Sequence, residues 1–365
     1  MTNYIIQRMV WIVIILVTTL SITFVLLKLA PEYPPQKPED KLAWLEKQVE
    51  DGYYTVERYH KDDADTQGIL DNIRETDPRV GSTLFIVNPI DDAVYFNVFT
   101  RVPIFEQYKT FVKAVVTDWD WGLSTRVRVN EPAFNLIKEK IPLSLSINFA
   151  VLLFYIPFGF LFGLIAALNK DSFLDNLIQV VVMLFLSLPS LIFILLLIIF
   201  FGYHLEWLSP TFPPITEATS WQIALGFVIP VMASGLPRVA GFTRILRAEL
   251  SEVLTSEFVL LAKTKGLSHR QAVLRHAIRN SMVPMVPIII GSFSALVAGS
   301  FILESVYGIP GVGRVTLQAM TAGLYDYNVI MSSSAFYSLI GLITVLIVDL
   351  SYGIIDPQIR MGARK

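Results

Sequence analysis

The chain has no cysteine among its 365 residues. That excludes disulfides, thiol nucleophiles and thiolate metal sites. Histidine is nearly as scarce: His60, His204, His269 and His276 all fall in expected loops or at span ends. A membrane-embedded hydrolase would therefore lack a nucleophile and base at span depth. Charge is scarce too, with Asp, Glu, Lys and Arg making up 16% of residues against about 25% in an ordinary soluble domain. Hydrophobic residues reach 53% and mean hydropathy is +0.56. So few charges cannot cover a soluble surface, and the composition points to an integral membrane protein. The net charge of −2 carries little information, because charge on such a protein matters by location, and nothing points to nucleic acid. No G-x-x-x-x-G-K-[ST] stretch occurs, so the phosphate-cradling loop of that motif is absent.

What is present is a set of long charge-free runs. A helix needs about 20 apolar residues to cross about 30 Å of hydrocarbon. Six stretches approach or exceed that: 9–27, 142–168, 176–203, 221–237 and slightly beyond, 280–303 and 327–348. The expected fold is an all-α polytopic membrane protein with six transmembrane helices and both termini on one side. Pro157, Pro189, Pro230, Pro284 and Pro287 lie in or at the edges of these runs. They suit kinked helices along a translocation path, and equally the ordinary tolerance of membrane helices for proline. The first run reads as a retained anchor rather than a secretory signal. Its apolar core exceeds the usual ~7 to 15 residues, and a cut after Ala30 would place Lys28 where a small residue is needed.

Basic residues orient this topology. Arg8, Lys170, the cluster Arg238, Arg244, Arg247, Lys263, Lys265, Arg270, Arg275 and Arg279, and the tail's Arg360, Arg364 and Lys365 fall on one side. The short loops 204–220 and 304–326 hold only Arg314. By the positive-inside rule the first side is cytoplasmic. The expected organisation is an anchor helix over 1–30, an extracytoplasmic domain over 31–141, and a core over 142–365 with five spans and a cytoplasmic loop at 244–280.

The outer segment opens on a linker with Pro31, Pro34, Pro35 and Pro38, continues into a helix expected at 39–51, and turns polar over 61–77. Residues 83–87 and 93–99 are rich in β-branched and aromatic side chains and flank Asn88-Pro89-Ile90-Asp91. That pattern predicts a hairpin and makes the domain a small α+β unit. A helix over about 105–116 puts Tyr108, Phe111, Val112 and Val115 on one packing face. Asn130 is expected to cap a further helix with Pro132 in its first turn. That helix would carry Phe134, Leu136 and Ile137 into the second span as an elbow along the outer surface.

The segment 244–287 is the most informative. Residues 249–265 have helical composition, Gly266 can end a helix by taking positive φ, and Ser268 with Gln271 forms a capping box that starts another, which ends at Pro284. The expectation is a helix-turn-helix knob: Ala262, one turn before the glycine, leaves room for close approach, and Lys263 and Lys265 flank it with donors. An ordinary connector with basic residues facing anionic lipid has the same mechanics.

The residues carry more than mechanics. Arg244 through Arg247, Glu252-Val253-Leu254, Glu257-Phe258, Ala262-Lys263-Thr264-Lys265-Gly266-Leu267, His276-Ala277-Ile278-Arg279-Asn280 and Pro284 resemble the cytoplasmic coupling loop of ABC importer permeases, in the dipeptide, oligopeptide and nickel branch. The strict Glu-Ala-Ala of that loop is replaced by Leu260-Leu261-Ala262. Further matches are 304–314 (Glu304-Ser305-Val306-Tyr307-Gly308-Ile309-Pro310-Gly311-Val312-Gly313-Arg314) and the tail elements Val348-Asp349-Leu350, Tyr352-Gly353 and Asp356-Pro357-Gln358-Ile359-Arg360. Asp118-Trp119-Asp120-Trp121-Gly122 with Ser124 is similar to the segment before the family's second helix. Residues 31–104 depart from the family: Pro31-Glu32-Tyr33-Pro34 stands where it has Pro-Gly-Asp-Pro, and the loop is longer.

The resemblance implies a type I ABC importer permease fold in a bacterial inner membrane. The implied partners are a second, homologous permease, two cytoplasmic ATPases holding ATP and Mg, and an extracytoplasmic binding lipoprotein. The implied cargo is oligopeptide or dipeptide, with nickel, glutathione and oligosaccharide carried by relatives. The chain itself would be no enzyme and hold no cofactor or metal. Glu257, Ala262, Lys263, Lys265, Gly266, Leu267, Ser268, His276 and Arg279 would form the ATPase-coupling loop. Glu304, Tyr307, Gly308, Pro310, Gly311 and Gly313 would face the binding protein or a gate; read as a nucleotide loop, the glycines would need a preceding strand, which a span replaces. Glu304 and Asp349 are ionisable groups nearest span ends and candidates on that ground, although Asp349 beside Tyr352 also suits a structural hydrogen bond. An ion-driven secondary transporter would carry ionisable groups at mid-membrane, where the expected spans hold Asn148, Gln179, Ser187, Ser292 and Ser294.

Overall fold

The computed structural model describes residues 2–30, 37–60, 85–87, 95–298, 300–321 and 325–355. The linker at 31–36, the polar stretch 61–77, the turn 88–91 and the tail signature from 356 onward lie outside them. The chain is mostly helical and forms two units. One comprises Met1–Val13, Ile137–Gln318 and Phe336–Lys365; the other comprises Ile14–Leu136 and Ala319–Ala335.

Among the described residues, four helices are long and apolar enough to cross a membrane: Ile6–Leu29, Ala133–Leu168, Ser220–Leu254 and Tyr327–Ser351. The run 176–203, expected as one span, is a pair of helices, Phe173–Ser187 and Ser190–His204, bent by 103°. Proline forces that corner. Pro189 lacks an amide hydrogen and holds the residue before it in extended backbone, which Leu188 adopts at ψ 122°. The run 280–303 forms Met285–Ala298 and Phe301–Tyr307, each shorter than a crossing helix needs. The elbow expected at 130 is not a separate element, because Ala133–Leu168 is one helix of 36 residues that runs through Pro142 and Pro157. Nor is Asn130 its cap. It takes left-handed backbone at φ 65°, which asparagine tolerates, and its N–H donates to Ser124 O.

In the first unit, two glycines set the packing. Gly159 and Gly163, four apart on Ala133–Leu168, lie against helix Val228–Leu254 so closely that a Cβ on either would stand 2.9 Å from the Cβ of Phe242 or Leu246. Small residues spaced this way let membrane helices touch backbone to backbone, where dispersion replaces the hydrophobic effect that lipid cannot supply. Phe154 lies over Gly235 in the same register. Residue numbers rise together along the contact, so the two helices run parallel. Val151, Leu152, Tyr155, Val239, Phe242, Leu246 and Met285 form the buried cluster around it.

In the second unit, strands Tyr54–His60 (β1), Phe85–Val87 (β2) and Tyr95–Arg101 (β3) form an antiparallel sheet in the order β1-β3-β2. The pair expected from 83–87 and 93–99 is there as β2 and β3. β1 was not expected, since its Thr55–Tyr59 stretch places charges in the alternation. Tyr54 and Phe99 pack on Leu45 of helix Pro38–Glu50. Helix Ile104–Asp118 presents the expected face: Tyr108, Phe111, Val112 and Val115 pack with Phe24 of the first helix and with Trp121. Lys28 closes this core, buried, with its ammonium 3.6 Å from the centroid of the Tyr53 ring.

The glycine contact makes a direct prediction. Gly163→Leu inserts a branched side chain where Leu246 already sits and should cost about 1–3 kcal/mol. Purified complex carrying it should melt several degrees lower in detergent; an unchanged melting temperature would remove this contact from the account.

Candidate functional site

The knob at 244–284 begins as an extension of helix Val228–Leu254, not as the single helix 249–265 expected. That helix breaks at Thr255 and Ser256, whose hydroxyls donate back to the Glu252 and Val253 carbonyls. Such back-bonding competes with helix continuation. A short helix Glu257–Thr264 follows. Its end is closed as expected: Gly266 takes φ 94°, its N–H donates to Lys263 O, and the Leu267 N–H donates to Ala262 O. These two bonds are those of a Schellman cap, which needs the left-handed position that glycine fills. A Cβ at Gly266 would meet nothing within 4 Å, so conformation and not crowding selects glycine there. The capping box is also present, with Ser268 and Gln271 each accepting the other's backbone N–H. The second limb runs His269–Ala272, a π-helical stretch Val273–Ala277, and Ile278–Ser281.

The knob is pinned to the long helices by its own small core. Val259, Ala272 and Ala277 pack with Leu250 and Ala167, all buried. Ala262 is buried as well, so its smallness serves the packing within the knob. The outer surface is instead apolar and basic. Phe258, Leu260, Leu261 and Leu274 are exposed, as are Glu257, Lys265, Ser268, Arg270, Arg275 and Arg279, while Lys263, Leu267 and His276 are half-buried. The exposed leucines were missed in the sequence reading. Their signal was the replacement of the family's Glu-Ala pair by Leu260-Leu261.

The segment after Phe301–Tyr307 is built around a carboxylate. Glu304 is buried and accepts from Ser144 Oγ at 2.9 Å, from Ser300 N–H at 3.2 Å and from Arg314 N–H at 3.1 Å. Ser144 in turn accepts from the Val312 N–H. The glycines are spaced for this anchor. A Cβ at Gly311 would overlap the Glu304 carboxylate and stand 2.6 Å from Ser144 Oγ, and one at Gly313 would stand 2.8 Å from Phe301 N. Gly308 ends the helix at φ 78°, and its carbonyl accepts from Arg314 Nη1 at 2.6 Å. Tyr307 is buried and donates to Ser209 O at 2.9 Å. Glu304, Tyr307, Gly311 and Gly313 therefore face inward, and Gly308 and Pro310 are half-buried. Asp349 pairs with Arg8 at 3.0 Å; the side chain of Tyr352 lies outside the described residues.

Two further carboxylates escaped the sequence reading. Asp175, fully buried, takes a two-pronged ion pair from Arg247 at 2.8 and 2.6 Å. Its local signal was Ser172 three residues earlier, whose hydroxyl caps the helix by accepting the Asp175 N–H. In the second unit, Asp326 is also fully buried, and its Oδ2 accepts from Ser124 Oγ at 2.6 Å and from the N–H groups of Thr125, Arg126 and Val127 at 2.9–3.1 Å. Three successive amides aimed at one oxygen form an anion nest, which no spacing rule places two hundred residues from its carboxylate.

Residues 159–361 match the family described as binding-protein-dependent transport system inner membrane component. The chain belongs to that family. It is 30% identical to the dipeptide transport system permease of Bacillus subtilis over 71% of this chain and 80% of that protein. With the oligopeptide transport system permease of Haemophilus influenzae it shares 32% over 71% and 81%, and with the glutathione transport system permease of Escherichia coli K12, 30% over 71% and 80%. Among solved structures, an amino acid ABC transporter crystallised with histidines covers 60% of this chain and 93% of its own at 19% identity and TM-score 0.45, too distant to add to the assignment. The chain is a membrane-embedded permease subunit, and family membership implies ATPase and substrate-binding partners on separate chains.

The anchor carboxylate can be tested by itself. Glu304→Ala strands one buried hydroxyl and at least two amides and should cost about 3 kcal/mol. Limited proteolysis of the purified complex should then cut between Gly308 and Arg314, where the parent resists; equal resistance would show that the loop does not hang on this carboxylate.

Proposed function

We propose that this chain is one of two homologous permease subunits of a bacterial inner-membrane importer that carries dipeptides or oligopeptides, driven by ATP hydrolysis on partner ATPases. The observation that carries the proposal is the coupling-loop sequence folded as a closed, exposed knob in a chain of this family. The relatives named for dipeptide and oligopeptide transport support the cargo. In this reading six segments cross the membrane, with the bent pair and the 280–303 run each counted once. Both termini and residues 244–280 are assigned to the cytoplasmic side, which the bias of basic residues supports. Residues 31–141 form the extracytoplasmic domain, and 142–365 the permease core. Glu304, Tyr307, Gly308, Pro310, Gly311 and Gly313 shape the outer surface toward the binding protein, with Glu304 and Tyr307 acting from beneath it. No nucleotide site is assigned to this chain, in keeping with its lack of a phosphate-loop motif.

Coupling follows from how the knob is mounted. ATP binding closes the ATPase dimer and displaces the docked knob. The knob is fixed to Leu250 and Ala167 through Val259, Ala272 and Ala277, so the displacement passes into helices Val228–Leu254 and Ala133–Leu168. Those two are locked together at Gly159 and Gly163 and tilt as one body. A packed pair of this kind moves between discrete arrangements, opening the path to one face at a time. Glu257, Lys263, Lys265, Leu267, Ser268, His276 and Arg279 take part as the docking surface or its supports, and Ala262 and Gly266 fix its shape.

The test uses the conformational demand at Gly266. Gly266→Val meets no steric neighbour but must adopt left-handed backbone, which a β-branched residue resists, whereas Gly266→Asn tolerates it. The Val variant should still co-purify with the ATPases yet import peptide poorly while hydrolysing ATP, and the Asn variant should import near the parent rate. Normal import by Gly266→Val would sink the coupling role.

A further inference from the structure

Helix Val228–Leu254 carries a cation at an unexpected depth. By sequence Arg238 belongs to the cytoplasmic cluster. The helix register says otherwise. Phe154 against Gly235, Gly159 against Phe242 and Gly163 against Leu246 set Arg238 level with Tyr155, the midpoint of the charge-free run 142–168. Nine residues separate Arg238 from Arg247, about 14 Å along the helix at 1.5 Å each, so it stands well above the Arg247–Asp175 ion pair.

Two hydroxyls and some open space lie near it. Arg238 keeps part of its surface open in this chain, is crowded by protein on its other sides, and lies near Tyr155. It has no hydrogen bond or ion pair among the described residues. The Tyr155 hydroxyl donates to Ser292 Oγ, and Ser292 lies near the middle of the run 280–303. Gly241, one turn from Arg238 on the same face, and Gly291, next to Ser292, each have nothing within 4 Å of where a Cβ would stand. A lone guanidinium facing lipid at mid-depth is expensive, and such groups face a cavity or find an anion. The planar fork of arginine matches a carboxylate with two parallel hydrogen bonds.

We propose that Arg238, with the Tyr155 and Ser292 hydroxyls beside it, is a carboxylate-binding station on the translocation path that receives the C-terminal carboxylate of a peptide in transit. The proposal rests on the peptide reading above and names the site that reading lacks. The carboxylate is the one anion that every peptide carries whatever its side chains, so a single fixed cation serves cargo of many sequences. One charge-assisted contact also suits passage, because a transport site must bind well enough to admit the cargo and weakly enough to release it.

The test uses the full complex in proteoliposomes, with dialanine as cargo and its binding protein at saturation. The chain has no cysteine of its own, so Arg238→Cys in a complex with cysteine-free partners reports on this position alone. It should react with a water-soluble thiol reagent, and dialanine-loaded binding protein should slow the reaction. Arg238→Gln should lower dialanine import about tenfold or more, the scale of one charged hydrogen-bonded contact, and Arg238→Lys should retain most of it. An unreactive or unprotected cysteine, or full import by Arg238→Gln, overturns the station while leaving peptide import standing. Loss of the second permease from purified Arg238→Gln complex also overturns it, because the arginine would then be an interface ion pair. If the unmutated complex imports no peptide, the cargo reading itself fails, whichever way Arg238 behaves.

Discussion

The backbone-close contact at Gly159 and Gly163 is the constraint from which the rest of this core takes its meaning. Lipid offers apolar side chains no reason to leave it, so two membrane helices stay together by surface fit and by the few polar bonds between them. Here the fit comes from missing side chains. Phe242 and Leu246 rest on glycine, and Thr243, fully buried between the helices, donates to Gly159 O. Because the two helices are held in one register over three turns, a push at Leu254 is felt along Ala133–Leu168 as well. The same register sets Arg238 level with Tyr155, so the proposed coupling path and the proposed carboxylate station both rest on this one contact.

Buried carboxylates do the corresponding work in the loops. Asp175, Glu304 and Asp326 are each almost wholly buried, yet none stands in a merely apolar pocket. Asp175 is matched by a guanidinium; Glu304 and Asp326 are matched mainly by backbone amides and a serine. Ion pairs and buried carboxylates of this sort add little net stability compared with apolar packing, but losing one partner is costly. Their effect is to specify. Each ties together chain segments far apart in sequence: Asp175 and Arg247 join two helices, Glu304 binds the glycine segment to Ser144, and Asp326 gathers residues 124–127. The glycines of 308–313 look like a nucleotide loop in isolation, yet Gly311 and Gly313 make room for a carboxylate of the chain itself and Gly308 ends the preceding helix.

What was readable from sequence followed the range of the interaction. The Gly266 cap, the Ser268 capping box and the Tyr108–Val115 face depend on neighbours within a few residues, and each formed where the pattern placed it. The corner at Leu188–Pro189 is also local, but a charge-free run hides it, because hydropathy counts carbons and ignores the missing amide. β1 was illegible for the opposite reason: Glu57 and Arg58 broke the apolar alternation, and its pairing partner β3 lies about forty residues on. The break at Thr255–Ser256 turned on two hydroxyls choosing backbone carbonyls over water.

The departure at Leu260-Leu261 sharpens what the partner ATPase must present. With Ala262 turned inward, helix Glu257–Thr264 exposes Phe258, Leu260 and Leu261, and the knob also exposes Leu274, Lys265, Arg270, Arg275 and Arg279. Exposed apolar side chains among exposed cations would suit a partner surface that offers apolar contact and acidic groups. Apolar contact supplies affinity by desolvation, and paired charges supply orientation and encounter rate. An acidic residue at position 260 would have placed charge among these apolar side chains, where leucine permits a drier contact. If the knob docks an ATPase as proposed, Leu260 and Leu261 would supply hydrophobic burial where the strict Glu-Ala-Ala pattern has a carboxylate.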